Sequence, residues 1–331
     1  MSDVKRLVLI DGNAILHRAY HALPPLTTRS GELVNAVYGF ATMLYRILND
    51  LHPEYLAVSF DTAKANFRHM EYVGYKANRP RMDSELVGQI EKVHELVTAF
   101  NIPILEVDGY EADDVIGTLA TQAAKLKTKN LPAGRQGKII SVDEVLIVSG
   151  DKDLMQLVTD KVKLYMPTRG LSEGQIVGEK EVKEKMGISP EEIVDYKGLV
   201  GDPSDNYPGV PGIGPKTAID LLKKFGTVEE LYQKMKEGKG FEGVGETTIK
   251  KLADGAESAV LSKKLATIIL DVPIKLELEK CVARDYDKEK VIAFFKELGF
   301  RSLITRMTGG EDKKEKIEEK KKTDKRQQSL F

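Results

Sequence analysis

The sequence predicts an α/β fold: a central, mostly parallel sheet flanked by helices, continued by a helical C-terminal region. Three observations carry this. The runs LVLID, YLAVSFD and VLIVSGD are apolar, rich in β-branched residues, and reach the aspartates Asp11, Asp61 and Asp151. Continuous apolar runs of that length read as buried strands of a parallel sheet. Amphipathic stretches lie between them, the alternation expected of an α/β domain. Beyond Lys180 the pattern changes to short helical segments punctuated by Gly and Pro, up to about Met307.

In chain order, the strand ending at Asp11 is followed by helical periodicity over 36–48 and then by the strand ending at Asp61. A basic segment, 63–81, leads into a second helical pattern over 87–100. IPILEV is a further candidate strand, followed by a helix over 113–126. The stretch 128–142, with Pro, Gly and little periodicity, reads as a loop inserted between that helix and the strand ending at Asp151. A boundary is expected near 168–179. The resulting division is an α/β core over 1–175 with an arch region at about 64–95, and a helical region over 176–307. The stretch 309–326 carries eight Lys or Arg, six Asp or Glu and one apolar residue, Ile317, so 308–326 reads as a charged tether, coil or lone helix, ahead of 327–331.

At 331 residues, 41% of them apolar, the chain has room for about two domains with real cores. Lys and Arg number 50 against 51 Asp and Glu, so nucleic-acid contact must come from local basic patches and not from net charge. Cys281 is the single cysteine, which excludes an internal disulfide and suits a reducing cytosol. The N-terminal apolar run is too short for a signal peptide or a membrane span. A soluble, cytoplasmic, nucleoid-associated monomer is the expectation.

GYEADDVIG sets Glu111, Asp113 and Asp114 where a helix begins. Taken alone these are ordinary helix-start acids, favoured by the helix dipole at roughly 0.3–1 kcal/mol each. In a parallel sheet, however, ligands sit beyond the carboxyl ends of the strands, which is where Asp11, Asp61 and Asp151 fall. SGDKDL adds Asp153, and GDPSDN adds Asp202 and Asp205, making nine carboxylates. Two like charges 4 Å apart repel by about 4 kcal/mol at an effective dielectric of 20, so such a cluster needs cations. All-oxygen ligands without His or Cys favour two or more Mg²⁺ ions, with Mn²⁺ as a substitute, over Zn²⁺. Paired ions of this kind activate water and stabilise the leaving oxygen in phosphodiester displacement.

Two further segments suit a polyanion. Within 63–81, Lys64, Arg68, Lys76, Arg79 and Arg81 face one acid, Glu71, with Tyr72 and Tyr75 interleaved, a mixture suited to phosphate contact and base stacking. A solvated basic loop fits the composition equally. In GVPGIGPKTAIDLLKKFG, closely spaced glycines expose backbone N–H groups at a helix start, followed by Lys216, an anion site for a backbone phosphate.

DGN at Asp11, FD at Asp61, FRHMEYVGYKANR, YEADD, GDKDL, GDPSDNYPGVPGIGPKTA and LSKKLATI resemble, in order and spacing, the 5′ nuclease family, which includes the 5′ to 3′ exonuclease domain of bacterial DNA polymerase I and the flap endonucleases. The resemblance covers residues 5 to about 307, apart from the loop insertion. It implies a metal-dependent, structure-specific 5′ to 3′ exonuclease and flap endonuclease that removes RNA primers or 5′ flaps in DNA replication and repair. It carries the metal role to Asp11, Asp61, Glu111, Asp113, Asp151 and Asp153, and likewise to Asp114, Asp202 and Asp205, some of these three acting through metal-bound water. Lys76 and Arg79, and with them Arg68, are implied at the scissile phosphate at the base of a helical arch running from about Asn78 to Ser84 and onward. Gly209, Gly212, Ile213, Gly214, Lys216 and Thr217 are implied in a helix-hairpin-helix-like grip on duplex DNA, with K⁺ held by backbone carbonyls. No proofreading-like or polymerase segment follows Met307, so a stand-alone nuclease is expected. The terminal QQSLF resembles a sliding-clamp-binding peptide, Gln327 making the polar contact and Leu330 with Phe331 filling an apolar pocket. A non-catalytic flap-binding module recruited to the clamp is the competing expectation, and it requires missing metal ligands.

Overall fold

The computed structural model describes residues 4–126, 141–168 and 173–309. Most of the 128–142 insertion, the tether from residue 310 and the pentapeptide with Gln327, Leu330 and Phe331 lie outside the described residues. Within them, β1 (Arg6–Asp11), β2 (Tyr55–Ser59), β3 (Ile104–Leu105), β4 (Glu144–Val148), β5 (Val162–Pro167) and β6 (Gly174–Val177) form one sheet in the order β3-β2-β1-β4-β5-β6. Neighbours run parallel except β6, which is antiparallel to β5.

The helices are α1 (Gly12–Ala22), α2 (Asn35–Arg46), α3 (Phe67–Glu71), α4 (Ser84–Ala99) and α5 (Ala112–Ala124) in the first half. The second half contributes α6 (Glu179–Met186), α7 (Ile193–Val200), α8 (Pro215–Phe225), α9 (Val228–Glu237), α10 (Glu246–Asp254), α11 (Ala256–Ala266), α12 (Lys288–Glu297) and α13 (Arg301–Met307). Side chains alternate across a strand, so β1 serves two cores. Val8 and Ile10 pack with α1, α2, α4, α12 and α13, whereas Leu7 and Leu9 pack with α5. A third core, built around Leu199, Leu222, Phe225, Leu231 and Leu252, holds the helical region together.

Chain order reverses at β1, with β2 and β3 on one side and β4 and β5 on the other. This is the switch point where open α/β sheets bind ligands. Asp11 closes β1 there, and its side chain caps α1 by accepting from Ala14 N–H at 2.9 Å. The expected strands and helices are present with shifted ends, and β5 and β6 were not anticipated. β5 is interrupted by the half-buried Lys163 and Met166, and β6 is exposed on the sheet edge except at Val177, so neither carries the continuous apolar run that marks the central strands. No helix among the described residues is long and apolar enough to cross a membrane.

Candidate active site at the sheet edge

Asp11, Asp61 and Asp151 lie at or just beyond the carboxyl ends of β1, β2 and β4. Each is fixed by neutral donors. Asp11 accepts from Ser149 Oγ at 2.7 Å, and Asp61 accepts from Ala112 N–H at 2.7 Å and from Asn13 Nδ2 at 2.5 Å. Asp151 accepts from the Asp153 N–H at 2.8 Å, while its own N–H donates to Ser149 Oγ. Asp113, in the first turn of α5, joins this group. Burial, together with the charges of Asp11, Asp151, Glu111 and Asp61, raises its carboxyl well above the usual range. Burial also pushes Asp11 up to about 6, with Asp61 and Asp151 adding to it against the hydrogen bonds from Ala14 and Ser149. Burial is the main cause of both shifts, and the neighbouring carboxylates add to it.

The remaining acids face cations. Lys197, on α7 and 9% exposed, donates to Asp153 and, at 2.5 Å, to Asp202. Lys76 Nζ donates to Glu111 at 2.8 Å and Arg79 Nη2 to Asp205 at 2.5 Å. Against the effect of burial, Lys76 and Arg68 hold Glu111 below the usual carboxylate range, as Lys197 and Ser204 hold Asp202. Asp153 is an exception: burial pushes it up to about 6, Lys197 pulling the other way. Among the described residues no three potential ligand side chains are drawn together closely enough to hold an ion as they stand. The chemistry of the donor set nevertheless fits hard divalent cations, being all carboxylate oxygen with unbalanced charge at its centre.

Three expected roles are corrected by burial. Asp114 is fully buried and its two oxygens take a bidentate pair with Arg68 at 2.7 and 2.8 Å, the Glu111 N–H at 3.1 Å and the Ile269 N–H at 2.8 Å. It has no face left for an ion. Arg68, 2% exposed, also donates to the carbonyls of Leu265 and Thr267, so it bolts α3 to α5 and to the end of α11 and cannot reach a phosphate. Tyr75, 3% exposed, packs with Tyr207, Leu265 and Ala266 and donates toward Glu111 and Asp205, each at 3.2 Å, so no base can stack on it. Asp114 also closes the capping box at the start of α5 by accepting from the Glu111 N–H.

The glycine-rich hairpin divides. Gly209 and Ile213 face inward, Gly209 N–H donating to Ser262 Oγ and Ile213 N–H to Val210 O. Gly212 and Lys216 are exposed, with Gly214 and Thr217 half-buried at the start of α8. Gly209 and Gly212 have φ of +62° and +82°, a left-handed backbone open to glycine at little cost. Sequence reading missed two features here. Gly240, Gly243, Gly245 and Thr248 repeat the spacing of Gly209, Gly212, Gly214 and Thr217, with φ of +82° and +79° at Gly240 and Gly243 and a helix, α10, starting after Gly245. That period was visible in the sequence. The second is Lys197, whose burial depends on how α7 docks and leaves no local signal.

A doubly wound sheet with carboxylates converging on its switch point defines a ligand-binding α/β protein. Residues 6–187 match the 5′-3′ exonuclease N-terminal resolvase-like domain and residues 188–289 the 5′-3′ exonuclease C-terminal SAM fold, so the chain belongs to the 5′-3′ exonuclease family. DNA polymerase I of Bacillus subtilis is 42% identical over 315 residues, covering 95% of this chain and 33% of that protein. DNA polymerase I of Geobacillus stearothermophilus is 43% identical over 311 residues, covering 94% and 33%. The chain thus spans about a third of the length of these relatives. Among solved structures, the T5 5′-exonuclease with bound zinc superposes with a TM-score of 0.63 at 19% identity, covering 92% of this chain and 97% of that one. The catalytic core of Rad2 in complex with DNA substrate gives a TM-score of 0.54 at 16% identity, covering 92% of both chains. These last two likenesses concern the fold.

Proposed function

We propose that the chain is a structure-specific 5′ nuclease that hydrolyses phosphodiester bonds at 5′ flaps, nicks and RNA-primer ends of DNA with two Mg²⁺ ions, for which Mn²⁺ can substitute. The observation that carries this reading is the convergence of acids as far apart in sequence as Asp11 and Asp205 on one sheet edge. Asp11, Asp61, Asp113 and Asp151 from the sheet side and Glu111, Asp153, Asp202 and Asp205 from the other are the residues to hold the ions. Bound there, divalent ions supply Lewis-acid activation of water and stabilisation of the leaving oxygen. The chain's own part is positional. Ser149, Asn13 and backbone N–H groups orient the carboxylates, Lys76 and Arg79 offset charge on the phosphate, and Gly212, Gly214, Lys216 and Thr217 hold the duplex backbone. K⁺ at the hairpin carbonyls belongs to the same reading, although the Gly212 carbonyl accepts from Lys251 Nζ at 3.1 Å. The division into a catalytic core and a helical duplex-binding region follows the same logic.

The deciding experiment is a divalent-ion titration of cleavage on flap, nicked, blunt and single-stranded substrates. Cleavage requiring Mg²⁺ or Mn²⁺ and favouring the flap is expected; intact substrate throughout overturns the proposal. Terminal docking on a sliding clamp is tested separately. Deleting residues 327–331 is expected to abolish clamp binding and leave cleavage of free DNA unchanged, and clamp binding that survives the deletion refutes it.

A further inference from the structure

Lys76 and Lys197 are turned into the carboxylates of this site, and Arg79, half exposed, lies on its rim against Asp205. Lys197 bridges Asp153, which follows β4, and Asp202, which follows α7, so its ammonium joins the two halves of the site. Lys76 lies on Glu111 and Arg79 on Asp205. Each cation thus occupies a carboxylate assigned above to ion binding, and in this arrangement no three potential ligands among the described residues are close enough to hold an ion. The Lys76 backbone is left-handed, φ +53°, and its N–H is tied to the Asp205 carbonyl at 2.9 Å, so main chain and side chain are both turned into the cluster.

We propose that Lys76, Arg79 and Lys197 are internal counter-ions of the free protein, which compete with divalent ions for the same carboxylates and are released toward the phosphate when ions bind. The inference rests on the divalent-ion reading of the site and adds a coupling to it. An incoming ion must displace an ammonium or guanidinium, and the displaced group then stands beside the site with an unpaired positive charge. A phosphate arriving there regains the lost pairing. Ion binding and polyanion binding are therefore mutually reinforcing, and by linkage each tightens the other by the same factor. Without nucleic acid, the site discourages ions; with it, the site fills.

The test is Mn²⁺ binding to the full chain without DNA, followed by electron paramagnetic resonance of free Mn²⁺ and by calorimetry. Lys197→Met is expected to tighten Mn²⁺ binding by about tenfold or more, the range over which an adjacent charge biases a carboxylate. Lys197→Arg, which keeps the charge, is expected to stay near the parent. Lys76→Met removes a half-buried side chain, 19% exposed, and is expected to shift affinity in the same direction if Lys197→Met fails to fold. Unchanged or weaker Mn²⁺ binding in the methionine variants, with binding lost in Asp153→Asn, overturns the counter-ion role and leaves the ion site standing. A parent chain that binds no Mn²⁺, or an Asp153→Asn variant that binds it as the parent does, removes the ion site itself and the inference with it.

Discussion

The two sides of the acid constellation solve the same electrostatic problem differently. On the sheet side Asp11, Asp61 and Asp151 are held by hydroxyl, amide and backbone donors, which orient a carboxylate without cancelling its charge. On the helical side Glu111, Asp153, Asp202 and Asp205 are held by Lys76, Lys197 and Arg79. Burial raises Asp11 and Asp113 on the sheet side and, despite Lys197, Asp153 on the helical side, whereas Glu111 and Asp202 are held down by their cations. On the proposed reading the sheet side takes its balancing charge from ions in solution, and the helical side carries cations of its own.

The sharpest way to break this contrast is Asp113→Asn. Removing the carboxylate that feels Asp11, Asp151, Glu111 and Asp61 at once should lower Mg²⁺-dependent flap cleavage by roughly a thousandfold or more. Without metal the same variant should melt no lower than the parent, because it relieves like-charge repulsion. Cleavage within a few fold of the parent places the ions elsewhere. Arg68→Met tests the opposite case, a charge with no catalytic part. Leaving Asp114 buried and unpaired should destabilise the fold by about 3–5 kcal/mol in urea unfolding. A variant of parental stability that has lost cleavage returns Arg68 to the phosphate.

A third prediction uses pH. Asp11 binds its proton more tightly in the folded chain, its ordinary 3.8 rising to about 6. That favourable contribution is complete below about pH 4 and is lost as pH climbs through about 6, on the order of 3 kcal/mol. Glu111 and Asp202, held down, contribute with the opposite sign and lose their part as pH falls. In EDTA, Asp11→Asn should thus melt higher than the parent above about pH 6 and lose that advantage by about pH 4. Equal melting curves across the range place Asp11 in a better-solvated environment than its burial indicates.

Much of this was legible in the sequence because it is local. Continuous apolar runs marked β1, β2 and β4, and the aspartates at their ends followed from the geometry of parallel sheets. Asp114 carried a clue to its local role: it stands three residues after Glu111, the spacing at which a side chain reaches back to a helix-start N–H, and it does so. Which face of α5 meets Arg68 is a tertiary fact, and spacing alone cannot separate a buried pair from an ion ligand. Tyr75 shows the same limit, since an aromatic amid basic residues reads as a stacking surface until Tyr207 and Leu265 close over it. Lys197 gave little sign, because a lysine is ordinarily solvated and only the docking of the short, largely apolar α7 buries it between Asp153 and Asp202.

The smallest effect is expected at the hairpin proposed to hold the duplex. Lys216 is exposed in the first turn of α8, beside Gly212 and Gly214, and touches no acid of the catalytic cluster. If it contributes one phosphate contact, Lys216→Ala should weaken duplex binding only severalfold, about 1 kcal/mol, and reduce the dependence of log K on log salt by about 1. The loss should be the same for every duplex sequence, since a backbone contact reads no bases. Turnover at saturating substrate should be unchanged, which separates this lysine from Lys76, whose replacement should lower turnover by orders of magnitude. A salt slope identical to the parent's shows that the hairpin meets the backbone through its N–H groups without the lysine. A fall in turnover instead draws Lys216 into the chemistry and blurs the division between gripping and cutting proposed for the two halves of the molecule.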